Sequence, residues 1–203
     1  AGLFQGTYTA QQILDAGGIP LTTSAAASNP SAGKYSWQFD GSNDSLSLIS
    51  SPVQLGSDHC VIAGCRLDTA TGTPSVFSAN GAGAGQYNLM FFSSTPFIQY
   101  FGATGTVTSA FSTPQLSNTC VIGSHVVGTT CKLSLNGIDA ATVSLSTLTS
   151  GVWTAAYIGS NVGVNGYFTG LIFPVIAIAG TVSAADKLVL QRFVGQLSGV
   201  SGI

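Results

Sequence analysis

Short segments in which apolar and polar residues alternate fill most of this chain, and they decide what it can fold into. A period of two is the pattern of half-buried β-strands, and clusters of Gly, Asn, Ser and Pro separate the segments at turn-like intervals. In chain order the predicted strands cover residues 36–48, 60–67, 75–78, 87–92, 97–101, 107–111, 120–127, 131–135, 141–145, 155–159 and 166–179. This pattern predicts an all-β sandwich of two antiparallel sheets.

Helical periodicity occurs only near the C-terminus. Ser183 is a predicted N-cap with Asp186 in the first turn, and Gly199 supplies a stop. The residues that share one predicted helix face are Leu188, Val189, Arg192, Phe193 and Leu197. We therefore predict one domain over residues 1–203, made of an irregular N-terminal segment (1–35), a sandwich (36–182) and a closing helix (183–199).

The low charge of the chain excludes several classes of protein. Only 6% of its 203 residues are charged and 45% are hydrophobic, which excludes intrinsic disorder. The few cations are scattered rather than clustered, so we expect no nucleic-acid partner; they are Lys34, Arg66, Lys132, Lys187 and Arg192. The most apolar stretch, 171–179, contains Pro174 and is too short to span a membrane. A surface of hydroxyls and amides is typical of extracellular or virion β-proteins.

Four cysteines leave the disulfide state open. Cys60 and Cys65 lie at an odd spacing in one predicted strand, so their side chains point to opposite faces and cannot bond to each other. Pairing around the turn 128–129 places Cys131 near Val126 and leaves Cys120 out of register with Cys131. A disulfide between the strand that holds Cys60 and Cys65 and the region that holds Cys120 and Cys131 remains open. We interpret all four as buried thiols that act as small apolar side chains.

One motif and the order of four later ones carry a family resemblance. The segment 37–48, WQFDGSNDSLSL, resembles the "FDGSNDYL" strand-turn-strand of the concanavalin A-like lectin/glucanase superfamily, in its laminin-G/pentraxin-like branch. The later matching segments, in the family's order, are 58–67, 133–137 (LSLNG), 157–159 (YIG) and 167–172 (YFTGLI). The segment 120–127 departs from the family's "W-HVAxT" strand, because it has no Trp and only His125. The resemblance implies a concanavalin A-like jelly roll, and phage virion copies end in a short helix that 183–199 resembles.

The acidic residues argue against catalysis. All seven are Asp, and the superfamily's glucanases use paired Glu residues, since glycoside cleavage needs one carboxyl as acid and another as nucleophile. A serine triad needs a His, only His59 and His125 exist, and no G-x-S-x-G segment occurs. Zinc at His59 and Cys60 is disfavoured, because neighbours along a strand face opposite ways. We therefore predict a protein that is not an enzyme and needs no cofactor.

Two interpretations of the 40–44 turn stay open. Asx and Gly residues form tight turns that bond back to their own backbone. The resemblance instead implies a calcium site, whose oxygen ligands here would be Asp40, Asn43 and Asp44. Calcium takes six to eight oxygens, usually including two or more carboxylates. We favour the self-bonded turn and keep calcium as the alternative.

Binding and assembly remain as functions. Sugars pair apolar faces with dense hydroxyls, so exposed aromatic rings and amides are the side chains to look for. The predicted glycan-binding residues are Tyr87, Tyr100, Trp153, Asn161 and Asn165; Tyr157 and Tyr167 are weighed as core or sheet-packing residues. The first hypothesis is a non-catalytic lectin-like module on a virion surface, in a phage tail or capsid, which binds host glycan. The second is a purely structural decoration or tail-assembly protein. In both we expect partners among other virion proteins and copies of the chain itself, in a trimer or array, at the virion surface or outside cells.

Overall fold

Two stacked β-sheets form the body of the protein. A computed structural model describes residues 2–3, 22–23, 36–48, 58–81, 85–92, 95–102, 105–110, 115–144, 155–161 and 165–203. Within these ranges, the eight-stranded sheet (sheet A) has the order β1 (Gly2–Leu3), β15 (Thr169–Ala179), β5 (His59–Leu67), β10 (Thr119–Val127), β11 (Thr130–Leu135) and β12 (Ile138–Asp139), with β3 (Trp37–Asp40) beside β15 and β13 (Val143–Ser144) beside β11. The seven-stranded sheet (sheet B) has the order β2 (Thr22–Thr23), β4 (Leu46–Leu48), β14 (Ala155–Ile158), β6 (Ser75–Gly81), β7 (Gly85–Phe92), β8 (Thr95–Gly102) and β9 (Gly105–Ala110).

The predicted fold class is confirmed: two antiparallel sheets stack face to face and one helix follows the last strand. The short β1 is an exception, because it pairs with β15 in parallel. Two predicted boundaries were wrong. The segment 36–48 is two strands, β3 in sheet A and β4 in sheet B, because a turn over 41–45 carries the chain from one sheet to the other. The N-terminal segment 1–35, predicted as irregular, supplies β1 and β2, and its other residues lie outside the described ranges.

The main core lies between the two sheets and is rich in aromatic rings. Phe168 contacts Phe39 edge-on at 6.5 Å between ring centroids and Phe91 at 6.2 Å. A polar bond crosses this core: the Tyr87 hydroxyl on β7 shares a 2.6 Å hydrogen bond with the Ser124 hydroxyl on β10. A buried hydroxyl that finds a partner avoids the cost of desolvation, so this bond fixes the two sheets relative to each other.

The closing helix, α1 (Ala184–Ser198), has the predicted caps. The Ser183 side chain accepts a hydrogen bond from the Asp186 backbone N–H, and Gly199 ends the helix in the left-handed conformation with φ of 78°. The helix covers the outer face of sheet A, over a second apolar cluster formed by Cys60, Ile62, Val121, Ile176, Val182 and Val194. In the part of the chain that the structure describes, no helix is long and apolar enough to cross a membrane.

The predicted buried face of this helix was wrong in part: Phe193 packs against the second apolar cluster, but other residues of that face do not. Val189 is 58% exposed and Arg192 is exposed, whereas the side that meets the sheet is formed by Lys187, Gln191, Val194, Gly195 and Ser198. The physical reason lies in the sheet below. Gly64 on β5 and Gly123 on β10 leave no side chain between helix and sheet. An added Cβ on Gly64 would collide with Ser198 of the helix, and one on Gly123 would lie 2.8 Å from the Ser134 hydroxyl and 3.4 Å from the Gln191 side chain of the helix. The backbones therefore approach closely, and small or hydrogen-bonded residues fill the contact.

Candidate functional site

Three connections meet at one end of the sandwich, which we call the loop end. They are residues 41–45 (β3 to β4), 68–74 (β5 to β6) and the described parts of the β14 to β15 connection, 159–161 and 165–168. Gly159 lies against the Phe39 ring, and an added Cβ on Gly166 would touch the Thr73 carbonyl oxygen at 2.8 Å. The Asp68 backbone N–H donates to the Thr169 carbonyl at 2.9 Å. These contacts make the three connections one continuous surface.

The 41–45 turn is held by its own carboxylates. Asp40 Oδ1 accepts the Ser42 backbone N–H at 2.7 Å, and Asp44 Oδ2 accepts the Asp40 backbone N–H at 3.0 Å. Gly41 has φ of 83°, in the left-handed region where a Cβ costs energy. Phe39 and Leu46 then point into the core on either side of the turn. This is the self-bonded turn that the sequence favours.

Two carboxylates are available at the predicted calcium site. Asp40 and Asp44 each use one oxygen within the turn, while Asn43 is exposed. Among the described residues, no group of three or more acidic, His or Cys side chains comes together to hold a metal. Calcium at Asp40, Asn43 and Asp44 would therefore need backbone carbonyls and water for most of its ligands. It stays a prediction.

The β14 to β15 connection is fixed by backbone hydrogen bonds. The Asn161 N–H donates to the Asn165 carbonyl at 2.7 Å, which closes a small loop. The Ser75 N–H donates to the Gly166 carbonyl at 2.8 Å, and the Ser78 hydroxyl donates to the Ser160 carbonyl at 2.8 Å, so β6 holds both ends of this loop. The described residues held in this way, 160–161 and 165–166, lose little backbone entropy when a ligand binds to them.

This connection brings together two of the predicted glycan-binding residues. Asn165 is exposed and Asn161 is half-buried. Tyr157 and Tyr167, at the two ends of the connection, are also half-buried, so part of each reaches the surface. Amide groups with partly exposed aromatic rings on a fixed loop are a chemistry that suits sugar hydroxyls and C–H faces.

The other predicted glycan-binding residues lie elsewhere. Tyr87 is 0% exposed between the sheets, so its assignment to a surface site was wrong: its ring packs edge-on against His59 and its hydroxyl bonds Ser124. Tyr100 lies on β8, in register with Tyr87 and far along the strand from the loop end. Trp153 lies outside the described residues.

The sequence reading missed one charged pair at the loop end. Arg66 at the end of β5 makes a double hydrogen bond to the Asp68 carboxylate, at 2.7 and 3.0 Å, and this contact raises the pKa of Arg66. The i to i+2 spacing across a strand end was the available signal, because such residues point the same way. With Asp40, Asp44 and Asp68 against the single Arg66, the described residues of the loop end carry a negative formal charge.

The two histidines lie on opposite faces of sheet A. His59 is buried against Tyr87, with 5.6 Å between ring centroids. His125 is half-buried beside the helix, where desolvation lowers its pKa. His59 faces the core between the sheets and Cys60 faces the helix, which agrees with the argument against zinc.

The six aspartates that the structure describes all have structural partners. Asp40 and Asp44 form the turn, and Asp68 pairs with Arg66. The others are Asp58, which accepts from Thr181 and Gly128, Asp139, which pairs with Lys187 and Lys132, and Asp186, which bonds Ser183. The Thr181 hydrogen bond, followed by the Gly128 N–H, lowers the pKa of Asp58. Each carboxylate therefore has a role in holding the fold.

The fold is that of β-sandwich domains found in carbohydrate-binding proteins. The CBM40 domain of the Ruminococcus gnavus IT-sialidase, solved with α2,3-sialyllactose, superposes with a TM-score of 0.63 at 14% identity over 78% of this chain and 100% of that one. Domain 4 of AbnA, a GH43 extracellular arabinanase from Geobacillus stearothermophilus solved with arabinotriose, gives 0.66 at 14% identity over 86% and 82%.

A larger protein shares the same architecture. The receptor-binding domain of botulinum neurotoxin mosaic serotype C/D superposes with a TM-score of 0.69 at 9% identity over 85% of this chain, which spans only 45% of that domain. No protein-family model and no curated protein matches the sequence. At these identities the likeness concerns the fold, where it agrees with the lectin-like sandwich that the 37–48 motif predicts.

Proposed function

We propose that this chain is a non-catalytic glycan-binding module whose site is the loop end. The observation that carries the proposal is the pair Asn161 and Asn165, fixed by backbone hydrogen bonds between two partly exposed tyrosines, Tyr157 and Tyr167. The partnered aspartates support the absence of catalysis, because glycoside cleavage needs a carboxyl pair open to substrate. The sandwich neighbours solved with sialyllactose and arabinotriose support glycan as the ligand class.

Charge narrows the class of glycan to neutral sugars. Asp40, Asp44 and Asp68 lie at the loop end, and Arg66 is already bonded to one of them. An anionic sugar would meet like charge at short range, which costs free energy in a partly desolvated site. Neutral hydroxyls can instead use the Asn amides as donors and acceptors.

A glycan array probed with the fluorescently labelled chain tests this proposal. We expect binding to neutral oligosaccharides and none to their sialylated counterparts. Asn165→Ala should weaken binding roughly tenfold, since a lost hydrogen bond to a ligand is worth about 1 to 1.5 kcal/mol. The matched control is Gln196→Ala, an exposed amide on the helix. Unchanged binding in Asn165→Ala would exclude the loop end as the glycan site. Binding only to sialylated glycans would exclude the preference for neutral sugars.

We further propose that the module works in many copies at a virion surface, in a phage tail or capsid, or otherwise outside cells. The low charge of the chain and the resemblance of its terminal helix, 183–199, to the ending of phage virion copies of the superfamily support this placement. Weak single sites become useful when they are linked, because linkage raises apparent affinity by roughly 10²–10⁴. Light scattering should detect a trimer or larger array, and mass spectrometry of purified particles should detect the chain.

A second candidate function, structural decoration of a particle, has its own observation. Ile138 is 69% exposed and Val189 is 58% exposed, and an assembly contact that covers them would remove apolar surface from water, which is favourable. If this second function is correct, the glycan array shows no binding. Ile138→Ser should then reduce the assembly of copies on the particle while leaving the fold intact.

A further inference from the structure

Two of the four thiols face each other in the middle of sheet A. Cys65 on β5 is directly in register with Cys120 on β10, and their Sγ atoms are 3.8 Å apart. Both side chains are 0% exposed and both belong to the core between the sheets. No residue can separate them, because they are direct neighbours on the same face of adjacent strands.

The spacing of antiparallel strands suits a disulfide at this position. Directly opposed residues have Cα atoms about 4.5 to 5.5 Å apart, within the roughly 4.4–6.8 Å that a disulfide accepts. The sulfurs need to approach by less than 2 Å to reach the usual S–S length of about 2.05 Å. Rotation of the two side chains can supply most of that approach with the ladder of β5 and β10 in place.

The remaining two cysteines have no comparable partner. Cys60 lies on the opposite face of β5, in the apolar cluster beneath the helix. Cys131 on β11 is paired with Val126, six positions along β10 from Cys120. At about 3.3 Å per residue that separation is roughly 20 Å, far beyond disulfide range. The geometry therefore selects one pair out of the several that the sequence leaves open.

We propose that Cys65 and Cys120 form a disulfide when the chain folds in an oxidising environment. The two thiols lose two protons and two electrons as the S–S bond forms. A disulfide oxidant such as oxidised glutathione takes them up and leaves as two molecules of reduced glutathione, through a mixed disulfide with one cysteine. The product is a covalent link between the two central strands of sheet A, closing a loop of 55 residues.

Burial sets when this reaction takes place. The thiolate is the attacking species, and desolvation in the core raises the pKa of Cys65 well above its ordinary value. The folded, reduced protein therefore reacts slowly with added oxidant. The bond forms quickly while the chain is still folding, when the thiols are in water and the strands are coming into register.

Refolding in a glutathione redox buffer tests the proposal. Denatured, reduced wild-type chain is refolded with oxidised and reduced glutathione, alkylated, and digested without reduction. Before alkylation, we expect the intact mass of the refolded chain to be lower than that of the reduced chain by two hydrogens. After digestion we expect one linked peptide pair, the one that contains Cys65 and Cys120. The Cys60→Ala/Cys131→Ala variant should give the same link, and the oxidised form should melt at a higher temperature than the same sample after reduction.

Two results would overturn the proposal. One is alkylation of every cysteine after refolding in this buffer, that is, of all four in wild type and of both in Cys60→Ala/Cys131→Ala. The other is a link that includes Cys60 or Cys131. Because the decision rests on the wild-type map, it does not depend on whether a Cys65 variant folds.

Discussion

The contact between the closing helix and sheet A can be tested by a substitution at one glycine, Gly64. Alanine there would place its Cβ against the Ser198 hydroxyl and within 3.0 Å of both the Ser198 and Phe173 Cβ atoms. The backbone of Gly64 is ordinary strand, so the substitution tests packing rather than backbone strain. The helix has to move away from the sheet, or β5 has to bend.

The expected cost follows from overpacking. Forcing an extra methyl into a filled core costs about 1–3 kcal/mol, while replacing a strand glycine by alanine returns about 0.5–1 kcal/mol in backbone entropy. Because the added Cβ would meet three atoms at 3.0 Å or less, we take the upper part of the overpacking range, about 2–3 kcal/mol, and the net loss is then about 1–2.5 kcal/mol. For a domain of this size each kcal/mol lowers Tm by about 2–4 °C, so we expect a drop of roughly 2–10 °C.

A double-mutant cycle with Ser198→Ala shows whether the clash is the cause. That variant alone loses the 2.7 Å hydrogen bond from Ser198 Oγ to the Val194 carbonyl, and we expect a cost of about 1 kcal/mol or less. It also removes the atom that the new methyl would strike. Thermal and urea unfolding followed by circular dichroism should therefore find Gly64→Ala/Ser198→Ala more stable than the sum of the two single changes predicts, by about 1 kcal/mol.

Two outcomes would refute the reasoning. If Gly64→Ala melts at or above the wild-type temperature, the helix does not lie on that glycine. If the two changes add to within about 0.5 kcal/mol, the loss comes from something other than the Ser198 contact.

Three further predictions concern charged groups. Replacing Asp40 and Asp44 together by Asn should lower Tm, because the free energy of unfolding loses about 0.5–1.5 kcal/mol for each charge-assisted hydrogen bond of the turn. A large calcium-induced rise in the wild-type Tm that this variant abolishes would contradict the self-bonded turn. Asp139→Asn should destabilise more than Lys187→Met in urea unfolding, because it leaves the buried ammonium without its carboxylate; equal losses would show that the pair does not matter. The pKa of His125 is lowered in the folded chain, so the unfolded chain takes up the proton first, and stability present above about pH 6.5 is lost as the pH falls toward the folded value. Urea midpoints at pH 7.5 and 5.5 should differ less in His125→Gln than in wild type, and an identical pH dependence would assign the effect elsewhere.

The sequence predicts the sandwich because the deciding signal is local. In β11, for example, apolar residues alternate with Thr130, Lys132 and Ser134, so the core positions of Cys131, Leu133 and Leu135 can be assigned from that strand alone. The Asp40 and Asp44 turn is local as well, since its donors and acceptors lie within a few residues. Local patterns do not reveal which sheet a strand joins, and for that reason 36–48 was predicted as one strand.

The helix face and Tyr87 show where local patterns are insufficient. Periodicity ranks Leu188 and Val189 as the buried side, but the true contact depends on glycines in β5 and β10 that are distant in sequence. Tyr87 lies on the same face of β7 as the core residues Leu89 and Phe91, yet its hydroxyl suggested a surface role. The partner that allows its burial, Ser124, belongs to the other sheet. Asn161 and Asn165 lie together because one short connection holds both. Their role in glycan binding stays a prediction.

The central position of β5 also determines the order in which the chain can assemble during synthesis. Its two neighbours, β10 and β15, begin at residues 119 and 169, so a ribosome releases β5 long before either partner exists. The hairpins β6 to β9, by contrast, find their partners next to them in sequence and can pair as they emerge. Sheet B therefore starts to form first and sheet A closes last, and until then the apolar faces of β5 remain exposed to whatever surrounds the nascent chain.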